Sequence, residues 1–170
     1  MKIKCNYSKI CLVLLLCLSV QVSSKGQAFM ARSVAPAKAE KVSIAEGLTG
    51  TEHQLLLQLV TKAGLMPLLS GADTYTFFAP SGAALQPYHN AKPEELRNLL
   101  SQHIVKGSLS ADELKDGSTL KTINGSTIRV YRKKGTIHIN GKRLHETDQL
   151  YANGVWHQLN GCLTVANADL

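Results

Sequence analysis

The sequence predicts an α+β, mainly β domain in which helices come first and an antiparallel meander follows. Three observations carry this. In two stretches, Thr51 to Gly64 and Lys92 to Gly107, the apolar residues recur at helical spacing. From about Leu120 to Val165 the period drops to two. Asn-Gly and other Gly-containing pairs punctuate that second half at hairpin spacing. Helices grouped ahead of strands, rather than alternating with them, argue against a βαβ parallel sheet.

The elements follow in order. Residues 1–24 have Lys2, Lys4 and Lys9 ahead of an apolar run from Ile10 to Val22, with small residues after it. This is the pattern of a secretory signal peptide, cleaved after Ser24 or Ala28. The run falls short of the roughly 20 residues that a membrane-spanning helix needs. Leu16 ahead of Cys17 excludes a lipoprotein-type anchor, which requires a small residue there. Residues 25–47 are rich in Ala, Ser and Lys without a sustained period, and read as a flexible linker. Residues 48–166 form the folded domain, of a size that buries about two thirds of its unfolded surface.

Within the domain, "TEHQLLLQLVTKAG" is an amphipathic helix with Leu55, Leu56, Leu59, Val60 and Ala63 on one side. Thr51 with Gln54 is its expected capping box, and Gly64 its stop. "TYTFFAP" is a strand ended by Pro80, and Ser81 starts the short helix "GAAL". "KPEELRNLLSQHIVKG" is a second long helix with Pro93 at its first position, and Leu96, Leu99, Leu100 and His103 on one stripe. Ser110 with Glu113 caps a single turn. Three hairpins follow, around Asn124-Gly125 (a type I′ turn), Arg132 to Gly135, and Asn140-Gly141. "GVWHQLNGCLTV" is the last strand, opened by Asn153-Gly154, whose types tolerate positive φ.

Composition narrows the function. The 170 residues carry 19 Lys+Arg and 12 Asp+Glu, a formal charge of +7. Without the three leader lysines the balance is 16 against 12, about +4, a mild excess that favours no nucleic-acid function. Cys5, Cys11 and Cys17 leave with the leader. Cys162 then stands alone, no internal disulfide is open to the mature chain, and the core must hold the fold.

The last strand bears on chemistry. Extended backbone puts Val155, His157 and Leu159 on one face and Trp156 and Gln158 on the other. A catalytic histidine would need an orienting acid and a nearby nucleophile, and no Gly-x-Ser-x-Gly context is present. His157 therefore reads as a buried, hydrogen-bonded structural residue. His138, His145 and His157 lack metal-ligand spacing, and no Cys pair or His-Glu-x-x-His occurs, so neither a metal nor another cofactor is expected. Arg129, Arg132, Lys133, Lys134, Lys142 and Arg143 lie on neighbouring hairpins. They read either as a patch for an acidic polysaccharide or as cations that protect strand edges.

Thr76, Phe78, Ala79 and Pro80, then His103, then Asn153, Gly154, Val155 and His157 occur in an order and spacing that resembles the fasciclin-like (FAS1) domain family over nearly all of residues 50–165. The resemblance implies two small β-sheets packed as a wedge with flanking helices. It also implies a secreted, periplasmic or surface-held adhesion or interaction module without catalytic residues. Its partner would be an extracellular or envelope protein or polysaccharide. An alternative is a ligand-binding module that uses the basic hairpins, and a remoter one is a hydrolase. Some animal members of the family present an Asp-Ile pair for integrin contact. The matching stretch here is "ETDQL", with Asp148 kept but Gln149 in place of Ile, and Gln102 replaces the usual Tyr beside His103. Asp148 is accordingly expected to bond nearby backbone N–H groups.

Overall fold

The structure, a computed structural model, describes residues 42–164. The expected signal peptide and residues 25–41 of the expected linker lie outside the described residues. The end of that linker is folded. Ser43 opens a single helical turn, α1 (Ile44–Gly47), through a reciprocal capping box with Glu46. Ser43 N–H donates to the Glu46 carboxylate at 2.6 Å, and Glu46 N–H donates to Ser43 Oγ at 3.3 Å. Ile44, Ala45 and Leu48 are buried, so the folded part starts ahead of residue 48. One turn is too short to show a helical period, although "SIAE" carries the same Ser-x-x-Glu signature as "SADE".

A 3₁₀ turn (Thr51–His53) leads into α2 (Gln54–Lys62), which buries Leu56, Leu59 and Val60. The expected Thr51–Gln54 box does not form, because Thr51 is itself inside the 3₁₀ turn. Gly64 ends the helix as expected, at φ +68° with its N–H on the Thr61 carbonyl. Then come α3 (Met66–Ser70), strand β1 (Tyr75–Ala79), α4 (Gly82–Leu85) and α5 (Pro93–Ser101). The helix expected to run past His103 stops at Ser101, and strand β2 (Ile104–Lys106) starts three residues later. The β-branched pair Ile104-Val105 gains a strand partner in β1, which outweighs one more helical turn.

The meander is β3 (Thr119–Lys121), β4 (Thr127–Lys133), β5 (Thr136–Ile139), β6 (Lys142–Tyr151) and β7 (Gly154–Leu159). Type I′ geometry, with both central residues at positive φ, falls at Lys134-Gly135 and Asn140-Gly141. At Asn124-Gly125 only the glycine is at positive φ. Thr122 N–H also pairs with the Ser126 carbonyl around a three-residue loop, so the expected I′ turn there is replaced.

The two sheets expected from the resemblance are one. Seven strands join in the order β2-β1-β7-β6-β5-β4-β3. The reason lies in β6, whose ten residues serve both halves: Lys142 and Arg143 pair with β5, while Leu144 to Tyr151 pair with β7 across two bulges. The sheet curls until its outer strands meet, through a Val105–Thr122 bridge and an Ile123 N–H to Ile104 carbonyl bond of 2.9 Å. Two pairings fall outside the meander: β1 with β2, antiparallel, and β1 with β7, which run parallel from Tyr75–Gly154 to Ala79–Gln158.

Two apolar layers result. Phe77, Ala79 and Trp156 meet the helices, including Leu56, Leu59, Leu96 and Leu100. Phe78, Leu144 and Leu159 face the inside of the curled sheet, with Ile128, Val130, Ile137 and Ile139. The alternation expected along β7 is therefore observed. Phe77 meets Trp156 edge-on, 5.3 Å between centroids.

The parallel pairing depends on Gly154. It sits at φ +148°, and a Cβ there would overlap the Tyr75 carbonyl. Gly154→Ala is expected to cost about 3 kcal/mol or more, read as a lower urea midpoint. Gly82→Ala, where a Cβ meets nothing within 4 Å, is expected to leave the midpoint unchanged or raised.

Candidate functional site

The residues that carry the family resemblance sit on the seams where the strands meet the loops. Thr76, on buried β1, donates its hydroxyl to the Gly107 carbonyl at 2.7 Å and accepts from Leu109 N–H at 2.8 Å. His157 faces the same loop from β7. Its Nε2–H donates to the Leu109 carbonyl at 2.8 Å, and its Nδ1 accepts from Asp148 N–H at 3.1 Å. A backbone donor on one nitrogen and a backbone acceptor on the other fix the neutral Nε2–H tautomer. The ring stacks on Phe78 at 5.5 Å. Burial lowers its pKa, against smaller opposing effects of the Leu109 carbonyl and the Asp148 charge.

His103 is wired in the opposite sense. Nδ1–H donates to the Leu99 carbonyl and Nε2 accepts from Leu163 N–H, both at 2.8 Å. The ring thus ties the last turn of α5 to the C-terminal segment. It is wholly buried, and desolvation takes its pKa down to about 4.

Asn153 joins three segments. Its Oδ1 accepts from Ile44 N–H at 2.8 Å. Its amide donates to the carbonyls of Leu69 at 2.6 Å and Gly71 at 3.1 Å. Its own carbonyl accepts from Tyr75 N–H at 3.0 Å. Val155 follows this seam and Pro80 lies past the far end of β1, both buried, and Ala79 belongs to the helix-facing layer.

Asp148 is at φ +61°, and its carboxylate accepts from Ala111 N–H at 2.7 Å. Gln149 donates its side-chain amide to Glu146 at 2.7 Å. Both side chains are engaged within the fold.

The basic residues separate into different settings. Arg132 leaves the group: its guanidinium donates to the Leu114 carbonyl at 2.8 Å and to the Ala111 carbonyl, while its N–H reaches Asp116 at 2.6 Å. It is a staple on the loop before β3. Lys142 pairs with inward-facing Ile139 and lies near Cys162, whose burial pushes the thiol up to about 11. Lys134 is at a turn tip. Arg129, Lys133 and Arg143 share the outward face of the meander, joined by Lys121, Tyr131 and His138, which the reading by hairpins missed. The missed signal is the strand phase itself: once Ile128 and Val130 face in, every second residue from Thr127 faces out.

A cavity of about 570 Å³ opens beside α2 and β6, with His53, Ser81, His145 and Glu146 in its walls. His53 packs against Trp156 with the rings tilted by 43° and their centroids 4.7 Å apart. Ser81 Oγ makes no hydrogen bond to either imidazole among the described residues. His138 and His145 face out while His157 faces in, so these three do not converge. No described helix is long and apolar enough to cross a membrane.

Asn153→Ala leaves Ile44 N–H and two carbonyls without partners. It is expected to cost about 2–4 kcal/mol in urea unfolding. His103 gives a pH signature. Its folded pKa of about 4 lies below the usual 6.5, so its contribution is complete above 6.5 and is lost as pH falls from there through 4. Stability is expected to drop by about 3 kcal/mol over that window, with His157 adding in the same direction. A His103→Gln variant, less stable at pH 7, is expected to show a flatter unfolding-midpoint profile between pH 7 and 4.

Comparison with known proteins gives concordant results. The Fasciclin domain pattern matches residues 51–165. The chain is 35% identical over 118 residues to transforming growth factor-beta-induced protein ig-h3 of Sus scrofa, covering 65% of this chain and 17% of that protein. It is 34% identical over 113 residues to the fasciclin-like arabinogalactan protein CTB11 of Cercospora beticola, covering 63% and 30%. The chain thus spans less than a third of the length of either relative. Among solved structures, the FAS1 domain pair from the insect cell adhesion molecule Fasciclin I superposes with a TM-score of 0.59 at 15% identity, over 72% of this chain and 51% of that one. With the helical cover, the mixed seven-stranded sheet and the ordered motif residues in place, the chain belongs to the fasciclin domain family.

Proposed function

We propose that this protein is a secreted or surface-held, non-enzymatic module of adhesion or interaction. One observation supports it above others: the two histidines of the family motif spend both ring nitrogens on backbone groups inside the fold. Neither has a nitrogen left to take a proton from a nucleophile. Thr76, Asn153 and Asp148 are likewise engaged with main-chain partners. On this reading Thr76, Phe78, Ala79, Pro80, His103, Asn153, Gly154, Val155 and His157 hold the fold. Recognition then falls to exposed surface. Asp148 and Gln149, turned to partners within the chain, are not the surface that meets an integrin-like receptor.

The relation to a cell adhesion molecule of the same fold agrees with this role, and the leader pattern over 1–24 agrees with work outside the cytoplasm. Beads coated with the purified protein are expected to be retained on extracellular matrix or envelope material of the producing cells. A fluorophosphonate probe is expected to leave the protein unlabelled. Stoichiometric labelling at Ser81 or another serine would overturn the proposal.

A further inference from the structure

The open face of β3, β4, β5 and β6 is the surface with the strongest chemical character. Outward positions, fixed by the strand pairings, are Thr119 and Lys121, then Thr127, Arg129, Tyr131 and Lys133, then Thr136 and His138, then Arg143. Tyr131 stands at the centre. Along β4 it lies between Arg129 and Lys133, and across the sheet it is followed by His138 and Arg143. The Arg129 guanidinium carbon sits 5.3 Å from the Tyr131 ring centroid, yet the ring is 44% exposed. From Gly117 to His145 the chain has no Asp or Glu, so β3, β4 and β5 carry no acidic residue; Asp112 and Asp148 share a hollow with Arg143 at the border of the face.

Edge protection does not account for them. Lys and Arg guard strands whose hydrogen-bonding groups are free. Here β4, β5 and β6 are interior to the sheet, and its two ends, β2 and β3, touch each other. The cations also stand perpendicular to the sheet, not along a rim.

We infer that this face binds a linear acidic polysaccharide, its carboxylates or sulfates on Arg129, Lys133 and Arg143 and a sugar ring against Tyr131. The inference rests on the reading of the protein as a binding module and names its partner. Three features favour this polymer. Rows repeat every 4.8 Å or so across the strands, close to the length of one pyranose ring. Thr119, Thr127 and Thr136 interleave hydroxyls with the cations, which suits a hydroxyl-rich ligand. No Leu, Ile, Phe or Trp faces out among these positions, so nothing would enter a bilayer. A single aromatic ring also falls short of the stacked platforms that hold single-stranded nucleic acid.

The test uses heparin and alginate fragments, titrated against the purified protein at several salt concentrations. The double change Arg129→Glu with Arg143→Glu is expected to weaken binding by about tenfold or more. Lys62→Glu with Arg97→Glu alters net charge equally on exposed helix positions, and is expected to change it by less than about twofold. Tyr131→Ala is expected to lose about two- to fivefold on the glycans and nothing on a plain sulfonate resin. All these positions are exposed, and unchanged melting confirms folding. Equal losses in the two double variants, or no binding to either glycan, would sink the inference. So would single-stranded DNA or anionic phosphatidylserine vesicles bound as tightly through the same residues. Beads still held by matrix after such a failure would leave the module reading in place, whereas serine labelling would remove that reading itself.

Discussion

The fold depends on the close approach of β1 and β7 at Asn153-Gly154. The two strands are separated by about three fifths of the described chain, and bringing them together carries the loop-closure cost of all that lies between. The absence of a side chain at 154 lets the Tyr75 carbonyl come in, and the Asn153 amide gathers the N-terminal turn and the end of α3 around the same point. Phe77 and Trp156 are then neighbours on the helical side, while Phe78 and His157 are neighbours on the other. Each apolar layer thus takes its register from one backbone contact.

The polar groups of the interior follow from that contact. Once β1 and β7 are adjacent, Thr76 and His157 both point at the segment Gly107 to Leu109, which has no strand partner of its own. The side chains supply the ladder that the backbone lacks there. No buried side-chain nitrogen or oxygen among the described residues is left without a partner. That completeness marks these residues as contributors to the cohesion of the fold.

Much of this was legible in the chain. The period-two segments after Leu120 gave the meander, and alternation along "GVWHQL" placed Trp156 and His157 on opposite faces. Local rules failed where distant residues decided the outcome. The parallel pairing of β1 with β7 leaves no trace in either segment alone. The stripe through His103 fitted a helix, but β1 drew Ile104 and Val105 into the sheet. The basic hairpins looked uniform because proximity in sequence hides strand phase: Arg132 has the inward phase of Val130 and ends as a staple, while Lys121 on another strand joins the outward group. The turn at α1 is too short to carry a helical period, and only its Ser-x-x-Glu capping signature marks it in the sequence.

The thiol of Cys162 has one last implication. It is the sole cysteine of the described residues, it is buried, and burial keeps it protonated well above neutral pH. Thiolate is the species that exchanges with disulfides, so this sulfur stays out of such traffic. The cohesion of the described domain therefore owes nothing to a disulfide, and a change in thiol–disulfide balance around it leaves no cross-link to make or break.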